Sequence, residues 1–357
     1  MRVMKLSIDD RVVDVPPGAT VLEAVNRLGV ALPQLCKDPD RSPLGACRTC
    51  LVHVEDMRGT PAACHLPARD GMVISTTHPD VVRIRSMVLE LTRAMLSSGE
   101  RSPMIEAGAG FPGDRRTSGG IGGHFGAPDV LGGFGQLGDA CSRHEVARAR
   151  WEPMHRFEPD VSKSFFTLDR EACILCGRCT VACDDVQKIG AISMLGRGHA
   201  MKVGVAGDAL MSSSVCTSCG QCVATCPTGA LRPKEEPATV ARRVETTCPY
   251  CGVGCGIEVH VRDDRRLAVM ADDVPRNRSS EGMLCVKGRF GTGFVHARDR
   301  IVRPMVRRDG AWRETSWDDA LDTAAAGLAR HRGKFAALAS AKATNEDGYL
   351  IQKLCRI

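Results

Sequence analysis

At 357 residues the chain exceeds one simple core and predicts two to four domains. Its 43% hydrophobic and 25% charged content is that of globular protein and excludes a disordered tail. The net charge of +6 is spread over short basic stretches at 83–85, 242–243 and 298–308, which reads as solvated faces against a nucleic-acid patch; no run of about 18 apolar residues offers a membrane span.

Residues 1–80 predict one compact unit. Apolar and polar residues alternate over 3–8 and 12–15 around Asp9-Asp10-Arg11, the pattern of a hairpin. After Pro16-Pro17-Gly18, Thr20 is placed to N-cap a helix, with Glu23 completing a capping box. Val21, Leu22, Val25 and Leu28 form its apolar stripe and Gly29 ends it. A strand is predicted at 51–54. Residues 81–160 comprise an amphipathic helix over 81–96 and a glycine-rich stretch, with 12 of the 37 glycines in 108–138, the composition of a flexible linker. Residues 161–236 hold an internal repeat: CILCGRCTVAC from 173 aligns without a gap on CTSCGQCVATC from 216. Residues 241–298 carry four more cysteines between strands expected at 257–261 and 267–270. In 299–357 a helix at 317–328 is capped by Ser316, and a buried strand is expected at 335–340. The fold class is α+β and multidomain.

Sixteen of the eighteen cysteines fall into four sets of four: Cys36, Cys47, Cys50 and Cys64; Cys173, Cys176, Cys179 and Cys183; Cys216, Cys219, Cys222 and Cys226; Cys248, Cys251, Cys255 and Cys285. No apolar leader precedes them in residues 1–10, so they predict a reducing compartment, the cytoplasm, where thiols bind metal. Aromatics are only 4%, so little apolar surface is available for burial, and metal binding would supply folding energy. The first set, C-x10-C-x2-C-x13-C, suits a [2Fe–2S] centre with two thiolates per iron, and Gly45 and Ala46 leave backbone N–H groups near the sulfurs. The second and third sets, C-x2-C-x2-C-x3-C, each place three thiolates on one tight loop for a [4Fe–4S] cube. The fourth thiol of each run points to the neighbouring cube. So Cys173, Cys176, Cys179 and Cys226 are expected to hold one cube, and Cys216, Cys219, Cys222 and Cys183 the other. Pro227 follows the last cysteine; Asp184 replaces it in the first repeat. Zinc is the alternative at the first three sets, and it is disfavoured at the first because zinc ligands come as two close pairs.

These motifs resemble known families. Residues 1–80 are similar to the β-grasp ferredoxin domain that opens the large iron–sulfur subunit of respiratory complex I and NAD-linked formate dehydrogenases. Residues 161–236 resemble a bacterial two-cluster ferredoxin. TTCPYCGVGCGIEV with MLCVKGRF resembles the iron–sulfur domain of molybdenum or tungsten bis-pterin oxidoreductases, where a third [4Fe–4S] centre lies beside the pterin. That likeness makes Lys287 the electron relay between centre and pterin, and its lysine identity favours formate dehydrogenase over complex I. SAKATNEDGYLIQKLCRI from Ser340 also resembles formate dehydrogenase, which implies pterin guanine dinucleotide contacts at Ser340, Thr344, Asn345 and Glu346; an N-cap turn reads equally well there.

The resemblance implies the iron–sulfur part of a formate dehydrogenase alpha subunit. Its electrons would run from a Mo or W bis-molybdopterin guanine dinucleotide centre through three [4Fe–4S] centres and one [2Fe–2S] centre to a flavin- and NAD-binding partner. The alternatives are a complex I large subunit, a stand-alone polyferredoxin, and a zinc-binding nucleic-acid module. Two departures stand out. His124, Cys141, His144 and His155 lack the His-x3-Cys-x2-Cys-x5-Cys spacing of related subunits, so no centre is expected there and Cys141 reads as a plain thiol. The catalytic Cys or selenocysteine of the family falls after a segment similar to 352–356, so it is expected beyond Ile357, and Cys355 is not the metal ligand.

Overall fold

The structure, a computed structural model, describes residues 3–38, 41–96, 136–151, 157–234, 240–262, 267–271, 279–340 and 342–356. It divides into two units, Met1–Ala238 and Thr239–Ile357. Most of the expected linker at 108–138 lies outside the described residues, as do His124 and His155. Among the described residues no helix is long and apolar enough to cross a membrane.

The first unit opens with β1 (Met4–Ile8) and β2 (Arg11–Val15), antiparallel from Met4↔Val15 to Ile8↔Arg11. Asp9 and Asp10 take positive φ at the tip (46° and 63°), as a two-residue hairpin requires. The expected capping box is present at α1 (Val21–Arg27): the Glu23 N–H donates to Thr20 Oγ1 (3.3 Å), and the Thr20 N–H donates to Glu23 Oε2 (2.6 Å). The sheet is completed by β3 (His53–Val54) and β4 (Val73–Ser75) in the order β2-β1-β4-β3, with β4 parallel to β1. It grips α1 over a core that includes Leu6, Ile8, Val15, Leu22, Val25 and Ile74. The expected helix near 81 starts earlier, as α2 (Pro79–Arg93), because Pro79 fits a first-turn position and His78 Nδ1 accepts the Asp80 N–H. Helix α3 (Gln136–Arg143) follows.

The repeat region is built from very short elements. Strands β5 (Phe166–Leu168) and β8 (Leu231–Pro233) pair antiparallel, and β6 (Ser193–Leu195) pairs with β7 (Lys202–Gly204). Both repeats take the same backbone path into their helices. Leu175 and Gly177 have φ of 55° and 79°; Ser218 and Gly220 have 58° and 73°. Helix α4 (Arg178–Val181) then continues into a π turn at Ala182–Val186, whereas α5 (Gln221–Thr225) stops at Cys226. Pro227 cannot donate the next backbone hydrogen bond; Asp184, at the equivalent place, can.

In the second unit, β9 (Val240–Thr247), β10 (Gly256–Arg262) and β11 (Leu267–Ala271) form an antiparallel sheet, followed by α6 (Val286–Phe290). A hairpin of β12 (Met305–Arg308) and β13 (Ala311–Glu314) leads to α7 (Trp317–Arg330), N-capped by Ser316 as expected, and then α8 (Asn345–Arg356). The buried strand expected at 335–340 is absent: that stretch has no regular structure and Leu338 is fully exposed. Among the described residues no strand pairs with it to take up its backbone hydrogen bonds, and an isolated strand cannot persist without one.

Candidate metal centres

The first cysteine set is brought together in the β-grasp part. Cys36, Cys50 and Cys64 are buried and Cys47 is half-buried. The thiols stand as two hydrogen-bonded pairs, Cys36 with Cys47 and Cys50 with Cys64. The hydrogen bond from Cys47 is the main cause that holds Cys36 down to about 5, with backbone N–H groups of Gly45, Ala46 and Cys47 acting the same way against burial. Cys64 is lowered by its bond from Cys50, while the two donors, Cys47 and Cys50, are pushed up by those same bonds and by burial. Two adjacent pairs match the two thiolates per iron that a [2Fe–2S] rhomb requires. Gly45 is obligatory on two grounds: its φ is +67°, and a Cβ there would lie 2.6 Å from the His65 ring.

Behind this set lies a cation that sequence reading missed. Arg85 is 3% exposed, and its Nη2 donates to the carbonyls of Leu51 (2.6 Å) and Thr76 (3.0 Å). Burial lowers it to about 10, opposed by negative charge at Cys50 and Asp9. The signal was available: Arg85 occupies the inward stripe of α2 between Val81 and Leu89, both buried.

In the repeat region the thiols group across the two motifs. Cys173, Cys176, Cys179 and Cys226 line a single cavity, walled by Leu168, Ile174, Val203 and Leu231. Cys179 is pushed far up by burial and then by the charges of Cys176, Cys173 and Cys226. Cys176 rises to about 12 for the same first reason. Cys222 is pushed up by burial and then by Cys219, Cys216 and Cys183, and Cys183 by burial with Cys216 and Cys219 as its charged neighbours. Backbone N–H groups reach the sulfurs in both groups: Leu175 to Cys173 (3.4 Å), Leu231 to Cys226 (3.5 Å), Ala191 to Cys183 (3.3 Å) and Ser218 to Cys216 (3.4 Å).

Thiolates crowded into an apolar site are unfavourable alone and become favourable once a metal offsets their charge. An all-sulfur donor set with apolar walls and N–H groups aimed at sulfur fits an iron–sulfur cluster. Among the described residues no three ligating side chains converge on a single-ion site; a cubane sets its thiolates further apart, since each binds its own iron.

In the second unit Cys248 is buried and is raised by burial, opposed by a backbone N–H of Tyr250, with the charges of Cys255, Cys285 and Cys251 also raising it. The Cys248 N–H donates to the Cys255 carbonyl (2.8 Å). A Cβ on Gly288 would sit 3.5 Å from Cys248 Sγ, so α6 packs closely on the set. Lys287 is exposed on α6, two residues after Cys285. Of the residues expected to touch pterin, Ser340, Thr344, Asn345 and Glu346 are all exposed. Ser340 Oγ accepts the Lys342 N–H (3.1 Å), and Thr344 Oγ1 accepts the Asp347 N–H (3.1 Å), so Thr344 stands as the N-cap of α8. Cys355 is exposed on α8. Cys141 is 1% exposed on α3, with its thiol pushed up by burial.

Four family models match the chain in order. They are described as a 2Fe-2S iron-sulfur cluster binding domain (2–79), a 4Fe-4S dicluster domain (172–230), a molybdopterin oxidoreductase Fe4S4 domain (241–297) and a molybdopterin oxidoreductase (300–357). The chain thus carries, in this order, segments that match iron–sulfur domains and a segment that matches a molybdopterin oxidoreductase domain. Over 99% of its length it is 34% identical to an NADH-quinone oxidoreductase subunit of Rhizobium meliloti and 33% identical to the NADPH-Fe(3+) oxidoreductase alpha subunit of Geobacter sulfurreducens. It spans 39% of the length of each. A Staphylococcus haemolyticus protein, assigned only provisionally to formate dehydrogenase by its name, is 26% identical over 96% of this chain and 37% of that one. A chain from the crystal structure of an NAD+-reducing [NiFe]-hydrogenase superposes with a TM-score of 0.54 at 24% identity, over 66% of this chain and 89% of that chain, a likeness of fold. The domain order thus matches these models, and the relatives carry several different activity names.

Proposed function

We propose that the chain is the electron-transfer part of a molybdenum or tungsten bis-pterin enzyme that oxidises formate and passes electrons to NAD through a flavin-bearing partner subunit. The observation that carries electron transfer is the single cavity lined by Cys173, Cys176, Cys179 and Cys226. Its ligand Cys176 and the first-set thiols Cys36 and Cys47 belong to one apolar cluster. When bound, iron–sulfur clusters supply one-electron uptake and release. The chain's residues hold them: thiolates bind, Leu35, Ile174 and Leu168 exclude water, and backbone N–H groups temper the charge on sulfur. Formate is favoured by Lys287 following Cys285 and by the Ser340–Glu346 residues.

A second reading takes NADH or NADPH as the electron donor, and the 34% and 33% identities to the Rhizobium and Geobacter subunits favour it. The test is anaerobic purification of the complete protein with its partner subunits, followed by addition of formate or of NAD(P)H. Bleaching of the brown colour by formate supports the first reading; bleaching by NAD(P)H alone transfers it to the second. A colourless zinc protein overturns both.

A further inference from the structure

We propose that Arg178 sets the reduction potential of the centre held by Cys173, Cys176, Cys179 and Cys226, and that Arg178, Thr225 and Asp38 form the joint fixing this centre against the one held by Cys36, Cys47, Cys50 and Cys64. The proposal rests on the iron–sulfur reading of both sets. Arg178 is 5% exposed and directly precedes Cys179. Its Nε donates to Thr225 Oγ1 (3.2 Å) and its Nη1 to Gln136 Oε1 (2.8 Å). The Thr225 hydroxyl in turn donates to the Asp38 carboxylate. Thr225 precedes Cys226, and Asp38 lies two residues after Cys36. One hydrogen-bonded chain therefore joins a ligand loop of each half of the repeat to the ligand loop of the β-grasp part. The apolar side of the same joint is dry: Leu35, Cys36, Ile174 and Cys176 pack in one buried cluster, and the Cβ position of Gly177 is 3.1 Å from Leu44 Cδ1.

The charge is also asymmetric. In the gapless alignment of the repeats, Arg178 stands opposite Gln221. Two cradles with the same backbone path thus carry different cations: buried Arg178 at the first, and at the second half-buried Lys163, whose Nζ donates to the Cys216 carbonyl (3.0 Å). Reduction adds one electron to the centre; no bond breaks and no proton need move. A fixed positive charge in a low-dielectric site favours that added negative charge. Arg178 accordingly makes the first cube easier to reduce than it would be with glutamine at that position, with the Asp38 carboxylate, reached through Thr225, opposing part of its charge.

The test uses the full chain, reconstituted anaerobically with iron and sulfide and titrated with dithionite under paramagnetic resonance. Arg178→Gln, which copies the second repeat into the first, is expected to shift the oxidised-to-reduced ratio of one [4Fe–4S] signal about tenfold at fixed potential, about 59 mV downward for one electron. Arg178→Lys keeps the charge and is expected to keep the potential. Gln221→Arg is expected to raise the other cube by a similar factor, and it decides the matter if Arg178→Gln fails to load. Thr225→Val leaves the charge in place and is expected to weaken the magnetic interaction between that cube and the [2Fe–2S] centre. Unmoved potentials in the glutamine and arginine variants overturn the proposal while leaving the iron–sulfur reading intact. Absence of all cluster signals in the unmodified chain overturns that reading itself.

Discussion

The crossed grouping of the repeat thiols can be tested by counting iron. One two-iron and three four-iron centres give about fourteen iron per chain. Cys226 belongs by sequence to the second motif, yet it lines the cavity of Cys173, Cys176 and Cys179. Cys183 belongs to the first motif, yet its charged neighbours are Cys216 and Cys219. Removing any one of these ligands by substitution to alanine is expected to cost one cube and leave about ten iron. Pairs then discriminate by the logic of a double-mutant cycle. Cys173→Ala with Cys226→Ala strikes the same cube twice and should still leave about ten; Cys173→Ala with Cys183→Ala strikes both and should leave about six. If each motif kept its own four thiols, these two values would exchange. Iron and sulfide analysis of anaerobically purified variants reads the result directly. Exchanged values refute the crossed grouping, and loss of both cubes in every single variant refutes the independence of the two cradles.

Stripping the clusters from the full chain with ferricyanide and a chelator should melt residues 157–234 before the β-grasp part. The former's strands are three residues long and its helices four or five, whereas the latter has a continuous apolar core. Hydrogen exchange before and after stripping measures it; equal protection in both states would contradict the argument. Thr20→Ala should destabilise the β-grasp part by about 1 kcal/mol through loss of the cap on α1, seen as a lower denaturation midpoint of the loaded chain with cluster content unchanged.

What the sequence made legible is what is local. The Asp9-Asp10 hairpin, the Thr20–Glu23 capping box and the Ser316 cap are each specified by residues within a few positions, and each forms as expected. The spacing of the sulfurs is legible for the same reason. What escaped depends on distant partners. Strand β4 is three residues long and is defined by its pairing with β1, more than sixty positions away. The stretch 335–340 has strand-like composition but no partner strand among the described residues, and it forms none. Arg85 looked like one of several surface arginines, because its charge conceals its place in the inward stripe of α2. The Arg178–Thr225–Asp38 contact, spanning nearly the whole first unit, has no local pattern at all.

The same distinction separates electron carriage from substrate choice. Each cradle of the repeat region is closed by loops that carry their own ligands and their own N–H donors, so its chemistry is specified within the first unit. The segment matching the molybdopterin oxidoreductase domain is different. Helices α7 and α8 and the β12–β13 hairpin bury no residue, and Trp312, Trp317 and Leu321 are 65%, 69% and 60% exposed. An amphipathic helix with an open apolar face is one half of a packing interface. A substrate pocket needs side chains converging from several packed elements, and Ser340, Thr344, Asn345 and Glu346 converge on nothing among the described residues. The formate reading accordingly rests on residue identity at Lys287 and Ser340–Glu346, whereas the capacity to hold and space one-electron centres is written in the packed sulfur loops.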